Sequence, residues 1–220
     1  MIPLKQLLLI CVLVGCGERE YTNTRDLKPN IPVPEPVAKT KSPLIAVPVV
    51  EEEIRGPFCL NKPTGELTMA DLGKVTVLYL QACQLTDVKG LENLTQLEEL
   101  NLNGNHITEL PKGLEKLTQL KELLLQNNRL TSVKGLENLR QLKELNLSNN
   151  QLTDVKGLEK NTQLTELILS GNQLTDVKGL EKLTQLEILE LENNPDLTKA
   201  QIDELKKALP KCDILSDHDC

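Results

Sequence analysis

The side chains with the widest chemistry in this 220-residue chain are six cysteines and two histidines. No cysteine pair has the spacing of a zinc finger. His218, beside Asp217, Asp219 and Cys220, offers one local set of metal-type ligands, but a frayed polar tail is the preferred reading of the same residues. Cys59, Cys83, Cys212 and Cys220 permit three full disulfide pairings. Cys212–Cys220 is the most local of them and would clamp the C-terminal end. No nucleophile elbow, phosphate loop or dinucleotide fingerprint occurs. Carboxylates are abundant, yet they fall at positions locked to a repeat, which is how a solvated face looks. The residues point away from an enzyme and call for no cofactor and no metal.

Cys11 and Cys16 lie in the opening stretch MIPLKQLLLICVLVGC. Lys5 gives it a short positive start. Leu7 to Val14 form an apolar run too short to span a bilayer as a mature helix. This is the pattern of a secretory signal. The run closes on Leu13-Val14-Gly15-Cys16, which resembles the lipobox of bacterial lipoproteins. In that family the thiol is diacylated and the chain is cut just before it. Cys16 follows small Gly15 and fits; Cys11 follows bulky Ile10 and does not. The resemblance implies a signal peptide over residues 1–15, a lipid on Cys16 and attachment to the bacterial cell envelope. Gly17 is not the Asp of the enteric inner-membrane retention signal, so the outer membrane or cell surface is favoured. Two or more acyl chains anchor stably where one is marginal. A plain secretory signal that happens to contain cysteine is the simpler alternative.

Residues 16–56 then read as a stalk. Pro29, Pro32, Pro34, Pro36, Pro43 and Pro48 interrupt it, which excludes helix and disfavours a ladder strand. Ile31 to Val37 favours polyproline II. At about 3 Å per residue, such a segment reaches about 100 Å when extended, enough to hold a domain clear of a membrane. The formal net charge is −7; removing residues 1–15 takes away only Lys5, leaving −8. That balance argues against nucleic acid, which needs a basic footprint. Aromatics make up 1% of the chain against 39% hydrophobic residues, so the core must be aliphatic. Many small, identical layers suit that composition better than one irregular core.

A repeat supplies those layers. Asn105, Asn128, Asn150, Asn172 and Asn194 recur at intervals of 23, 22, 22 and 22 residues, with Cys83 standing 22 before the first. Each sits in the frame L-x-x-L-x-L-x-x-N-x-L, as in LEELNLNGNHI from Leu97. The two Leu of L-x-L point inward from a short strand while alternate residues point out. Stacked units place these strands in parallel, each covering its neighbour's apolar edge. The Asn lies where the chain leaves the strand, and its amide can donate to and accept from buried turn backbone. The return reads LTDVKGLEKLTQ in its commonest form, punctuated by Gly90, Gly113, Gly135, Gly157 and Gly179. So short a return leaves room for 3₁₀ or irregular turns but not for long helices. Asn161 breaks the pattern where Leu94, Leu117, Leu139 and Leu183 stand in other units. It reads either as a soft spot or contact, or as drift at the shell of the core.

The frame and period resemble the leucine-rich-repeat family, in the 22-residue subclass of bacterial internalin-like proteins. The resemblance implies an α/β fold: a right-handed solenoid with a parallel concave sheet and short 3₁₀ or irregular convex turns. Six repeats cover residues 75–196. Their ladder is Cys83, Asn105, Asn128, Asn150, Asn172 and Asn194, and Cys83 is expected as a buried thiol because the family also accepts Cys there. A solenoid must be sealed at both ends. Residues 57–74 are the expected N-terminal cap, with a capping-box-like Thr68 and Asp71. Residues 197–220 supply a C-terminal helical cap and tail, from a Thr198–Gln201 capping box to a stop at Pro210, with a final strand within Lys211 to Leu215.

In this family the concave face commonly binds. The frame turns Tyr79, Glu99, Asn101, Glu122, Leu124, Glu144, Asn146, Glu166, Ile168 and Glu190 outward there. Glu99, Glu122, Glu144 and Glu166 form one column, with Tyr79, Leu124 and Ile168 beside it. Glutamates flanking aliphatic groups suggest a protein partner carrying basic residues around an apolar anchor. The same column also suits a face merely kept soluble, as in a structural envelope lipoprotein with no specific ligand. On the return side Lys89, Lys112, Lys134, Lys156 and Lys178 each precede a Glu by three residues, which reads as local charge compensation. A monomer is expected.

Overall fold

The first leucine of each L-x-L pair is the buried centre of a three-residue strand whose flanking residues face out, and the second is buried just past the strand end. The computed structural model describes residues 45–56 and 59–218, all within one unit spanning Pro43–Cys220. Among these residues the strands are β1 (Val77–Tyr79), β2 (Glu99–Asn101), β3 (Glu122–Leu124), β4 (Glu144–Asn146), β5 (Glu166–Ile168), β6 (Ile188–Glu190) and β7 (Asp213–Leu215). They form one parallel sheet in sequence order. Leu78, Leu100, Leu123, Leu145, Leu167, Leu189 and Ile214 pair in register along it and are all buried. The core they begin is one aliphatic column of Leu, Ile and Val.

The return side is built from single turns of 3₁₀ helix at Leu91–Asn93, Leu114–Lys116, Leu136–Asn138, Leu158–Lys160 and Leu180–Lys182. Each is preceded by a glycine in the left-handed region, Gly135 for example at φ 112°. A side chain with a Cβ adopts that conformation at a cost, which is why glycine recurs. The glycine N–H is met by the glutamate two residues on: Gly90 by Glu92 at 3.0 Å, Gly113 by Glu115 at 2.9 Å, Gly135 by Glu137 at 2.6 Å, Gly157 by Glu159 at 2.7 Å and Gly179 by Glu181 at 2.6 Å. This adds to the charge-compensation reading, since Lys160 and Lys134 also help to hold the Glu137 carboxyl down. The glutamates are turn caps, and Lys89 and Lys156 lie instead near Asp87 and Asp154, at 3.4 and 3.6 Å.

Asn161 is also placed differently from a shell position, being fully buried. Its Nδ2 donates to Leu136 O and Leu139 O, both at 2.9 Å, while its Oδ1 is buried without a hydrogen-bond partner.

Both ends are sealed, and the N-terminal seal starts earlier than the stalk reading allows. Helix α1 (Pro48–Arg55) lies inside the segment where proline was expected to exclude helix. Pro48 opens that helix, where the missing N–H has no intrahelical acceptor to lose and the fixed φ already suits a helix. Val50 and Ile54 point into the core, as does Ile45. Helix α2 (Met69–Leu72) begins with the reciprocal Thr68–Asp71 capping box. At the far end α3 (Lys199–Ala208) begins with the Thr198–Gln201 box and buries Ile202 and Leu205. The tail is not frayed as far as it is described. Asp217 accepts from Asn193 N at 3.0 Å and Asn194 N at 3.3 Å, and His218 Nε2 lies 2.8 Å from Leu197 O.

Candidate partner-binding face

What holds the strand face in place is a ladder of side-chain amides just beyond it. Asn150 illustrates the unit. Its Oδ1 accepts from Leu130 N of the preceding repeat at 2.9 Å, and its Nδ2 donates to Leu125 O and Leu147 O at 3.0 and 3.1 Å. Asn105, Asn128, Asn172 and Asn194 repeat this pattern. Each amide therefore ties two consecutive turns whose backbone groups would otherwise be buried unpaired. The ladder asparagines are themselves buried. Cys83 holds the first rung but is half-buried, and its Sγ donates to Gln81 O at 3.4 Å. A thiol cannot reproduce the amide's two-way bonding.

On this support the register gathers three outward columns. The first runs Val77, Glu99, Glu122, Glu144, Glu166, Ile188, Asp213. The second runs Tyr79, Asn101, Leu124, Asn146, Ile168, Glu190, Leu215. Past the strand ends, Gln81, Asn103, Gln126, Ser148 and Ser170 continue a third, where the side-chain oxygens of Gln81 and Gln126 are buried without a hydrogen-bond partner. All ten residues expected on this face lie in the first two columns. Strands lie about 4.8 Å apart, so the four glutamates form a continuous like-charged row. At its start Tyr79 donates its hydroxyl to Glu99 Oε2 at 3.1 Å. Burial, that bond and the charges of Glu99 and Glu122 push the Tyr79 pKa up to about 12. At the sheet border Lys121 and Lys143 stand beside the glutamates, and Lys121 pairs with Glu98 at 2.7 Å.

Three residues extend the face beyond those expected as its contacts. Ile188 and Leu215, 39% and 38% exposed, are two of the most exposed large apolar side chains described, and Asp213 joins the first column. The signal was present, since Asp213-Ile-Leu215 repeats the outward–inward–outward alternation one strand on. Asn146 and Asn101 bond Ser148 N and Asn103 N, each at 3.0 Å, so part of their polarity serves the strand exits.

Cys16 and Cys220 fall outside the described residues, and with them the lipid and the Cys212–Cys220 pair. Cys212 is a half-buried thiol whose pKa is pushed up to about 11 by burial and by Asp213. Cys59 donates to Val77 O at 3.3 Å, sealing the outer edge of β1. Among the described residues no His, Cys, Asp or Glu cluster could hold a metal, and no helix is long and apolar enough to cross a membrane. Three clefts on the described surface are lined around Arg55, Lys156 and Glu204, and none of their residues belongs to the sheet columns.

The repeat geometry agrees with comparison to known proteins. A family model that describes two leucine-rich repeats matches three segments, residues 74–116, 118–160 and 162–207. The chain belongs to the leucine-rich-repeat family. This leucine-rich-repeat chain is similar in structure to the internalin InlF of Listeria monocytogenes, with 26% identity over 75% of this chain and 54% of that one, at a TM-score of 0.58. It therefore spans about half of that protein's length. Internalin C2 of the same organism gives 25% identity over 78% of this chain and 83% of its own, at 0.60. The functional domain of InlJ, also from Listeria monocytogenes and described as including a cysteine ladder, gives 30% identity over 68% and 31%, at 0.60. No curated protein matches the chain in sequence.

Proposed function

We propose that this repeat protein is an exported, non-enzymatic interaction module whose sheet face captures a protein partner. The observation that carries the reading is the register. It lines up Glu99, Glu122, Glu144 and Glu166 beside Tyr79, Leu124 and Ile168 on an open, rigid surface, with Asn101, Asn146 and Glu190 between and beyond them. Like charges one strand apart repel, so a basic partner that neutralises them gains from the arrangement. An open face without an enclosed cleft suits a macromolecule better than a small ligand. The internalin likeness supports a bacterial envelope protein. Lipid on Cys16, with the proline-rich segment after it as a spacer, would hold the module as a monomer at the outer membrane or cell surface.

Crosslinking in the native envelope tests this. The double variant Glu122→Lys, Glu144→Lys should lose its crosslinked protein partner while its thermal midpoint does not fall below that of the wild type. Unchanged capture would instead favour a structural envelope role in which this face has no ligand. In the same preparation Cys16→Ser should move the protein from the membrane to the soluble fraction; retention in the membrane would overturn the anchor.

A further inference from the structure

The two sheet columns carry different periods, and together they restrict the shape of what can lie on them. In the first column a carboxylate recurs on every strand from β2 to β5. In the second, an apolar residue recurs on every second strand: Tyr79 on β1, Leu124 on β3, Ile168 on β5 and Leu215 on β7, with polar Asn101, Asn146 and Glu190 between. A partner crossing the strands must therefore offer positive charge about every 4.8 Å and apolar groups about every 9.6 Å, on adjacent stripes.

Resting on the interaction-module reading above, we infer that the occupant is an amphipathic α-helix laid across the strands, along the direction in which the repeats stack. It carries Lys or Arg at successive turns and aliphatic side chains seven residues apart. One helical turn rises about 5.4 Å and two rise about 10.8 Å, so both periods are met by one backbone. The mismatch is about 0.6 Å per strand, or about 2 Å along the glutamate row, within the swing of a lysine side chain. An extended strand repeats a face only about every 6.7 Å, so it drifts about 2 Å at each strand and is about 6 Å out across the glutamate row. Polyproline II turns about every 9.3 Å, which fits the apolar column but supplies no charge between its turns.

Charge placement makes the register selective. Lys121 and Lys143 border Glu122 and Glu144, so a cation displaced toward that edge meets repulsion. Leu215 ends the apolar column in an exposed seat, with exposed Ile188 closing the glutamate row beside it, and there the partner's apolar stripe would be anchored.

The test uses the full chain and three synthetic peptides of equal length and charge. One is a stapled helix of about 20 residues, the length needed to cross six strand intervals, with Lys and Leu in the stated register. The second is the same helix with its charges moved around the axis. The third is an extended, proline-interrupted peptide. Fluorescence anisotropy at physiological salt should show the in-register helix binding at least tenfold tighter than either control. Glu122→Lys with Glu144→Lys, and separately Ile188→Ser with Leu215→Ser, should each remove at least tenfold of that affinity. Equal binding of the two helices, or tighter binding of the extended peptide, overturns the inference. If native crosslinking still depends on Glu122 and Glu144 while the peptides bind alike, the helix fails and the interaction module stands. If crosslinking ignores those glutamates, both fall.

Discussion

Two columns of glutamate run through the repeats at the same period, and they are there for different reasons. On the return side Glu92, Glu115, Glu137, Glu159 and Glu181 each accept the N–H of a left-handed glycine, so the turn itself requires an acceptor at that position. On the strand face Glu99, Glu122, Glu144 and Glu166 occupy a position where the same sheet also accepts Val77, Ile188 and Asp213. The backbone there is indifferent to side-chain charge. Glu99 accepts from the Tyr79 hydroxyl, and keeping four carboxylates in one row costs like-charge repulsion. Regular spacing alone cannot separate the two cases; the identity of the bonding partner can. This is why the strand face, and not the equally regular return face, is the place to look for a partner.

The comparison breaks first if the return side proves tolerant. Gly135→Ala should cost about 1–2 kcal/mol, the penalty of forcing a Cβ into the left-handed region. Steric room is not the issue there, because the nearest atom to an added Cβ is Leu110 Cδ1 at 3.9 Å. Gly113→Ala should cost more, since its Cβ would sit 2.5 Å from Glu92 Cβ. Chemical denaturation measures both, and a loss no larger than that of a strand-face substitution would erase the distinction. Asn161→Leu comes next and has the opposite sign. Leu136 O and Leu139 O already accept backbone N–H groups from Leu139 and Leu142, so losing the amide leaves neither carbonyl unpaired. Removing the partnerless Oδ1 and restoring the leucine of the other repeats should raise stability by about 1 kcal/mol, seen as a higher thermal midpoint. A lower midpoint would mean that the two amide bonds outweigh the better-filled core.

What could be read from the residues was whatever repeats. The strands, the ladder and the ten outward residues follow from side chains recurring at a fixed interval, because stacking converts sequence period into spatial alignment, and the two capping boxes follow from their own local spacing. What could not be read was singular. Helix α1 was hidden by Pro48, since the residue that breaks a helix interior also starts one. The bonds of Asp217 and His218 lie past the last repeat, where no register predicts a partner for them. Leu215 escaped because β7 follows α3 and not a return turn, although it extends the same column. The return glutamates were read only in part, for another reason. Counting three residues from Lys to Glu finds a charge pair, while the decisive neighbour is a backbone N–H two residues away.

The smallest effect discriminates best, because one kind of substitution should act with opposite signs on the two columns. Glu137→Gln weakens a charge-assisted bond to Gly135 N, and at so exposed a site it should cost about 0.5 kcal/mol. Glu144→Gln relieves repulsion from Glu122 and Glu166 and should add about 0.5 kcal/mol, a gain that fades as salt screens the row. Acid supplies a matching signature. Bonds to backbone N–H, its own and Gly135's for Glu137, its own and Gly157's for Glu159, hold both carboxyls below their ordinary value of 4.5. A carboxyl depressed in the folded state adds stability above the unfolded value and loses it as pH falls through the folded one. That contribution is therefore intact at neutral pH and disappears below about pH 4.5, and Glu137→Gln should flatten this part of the stability profile. Thermal melts of both variants from neutral pH to below pH 4, at low and high salt, decide the matter. If the two substitutions shift the midpoint in the same direction, the strand-face charges are as structural as the turn caps, and the reason for assigning them to a partner is gone.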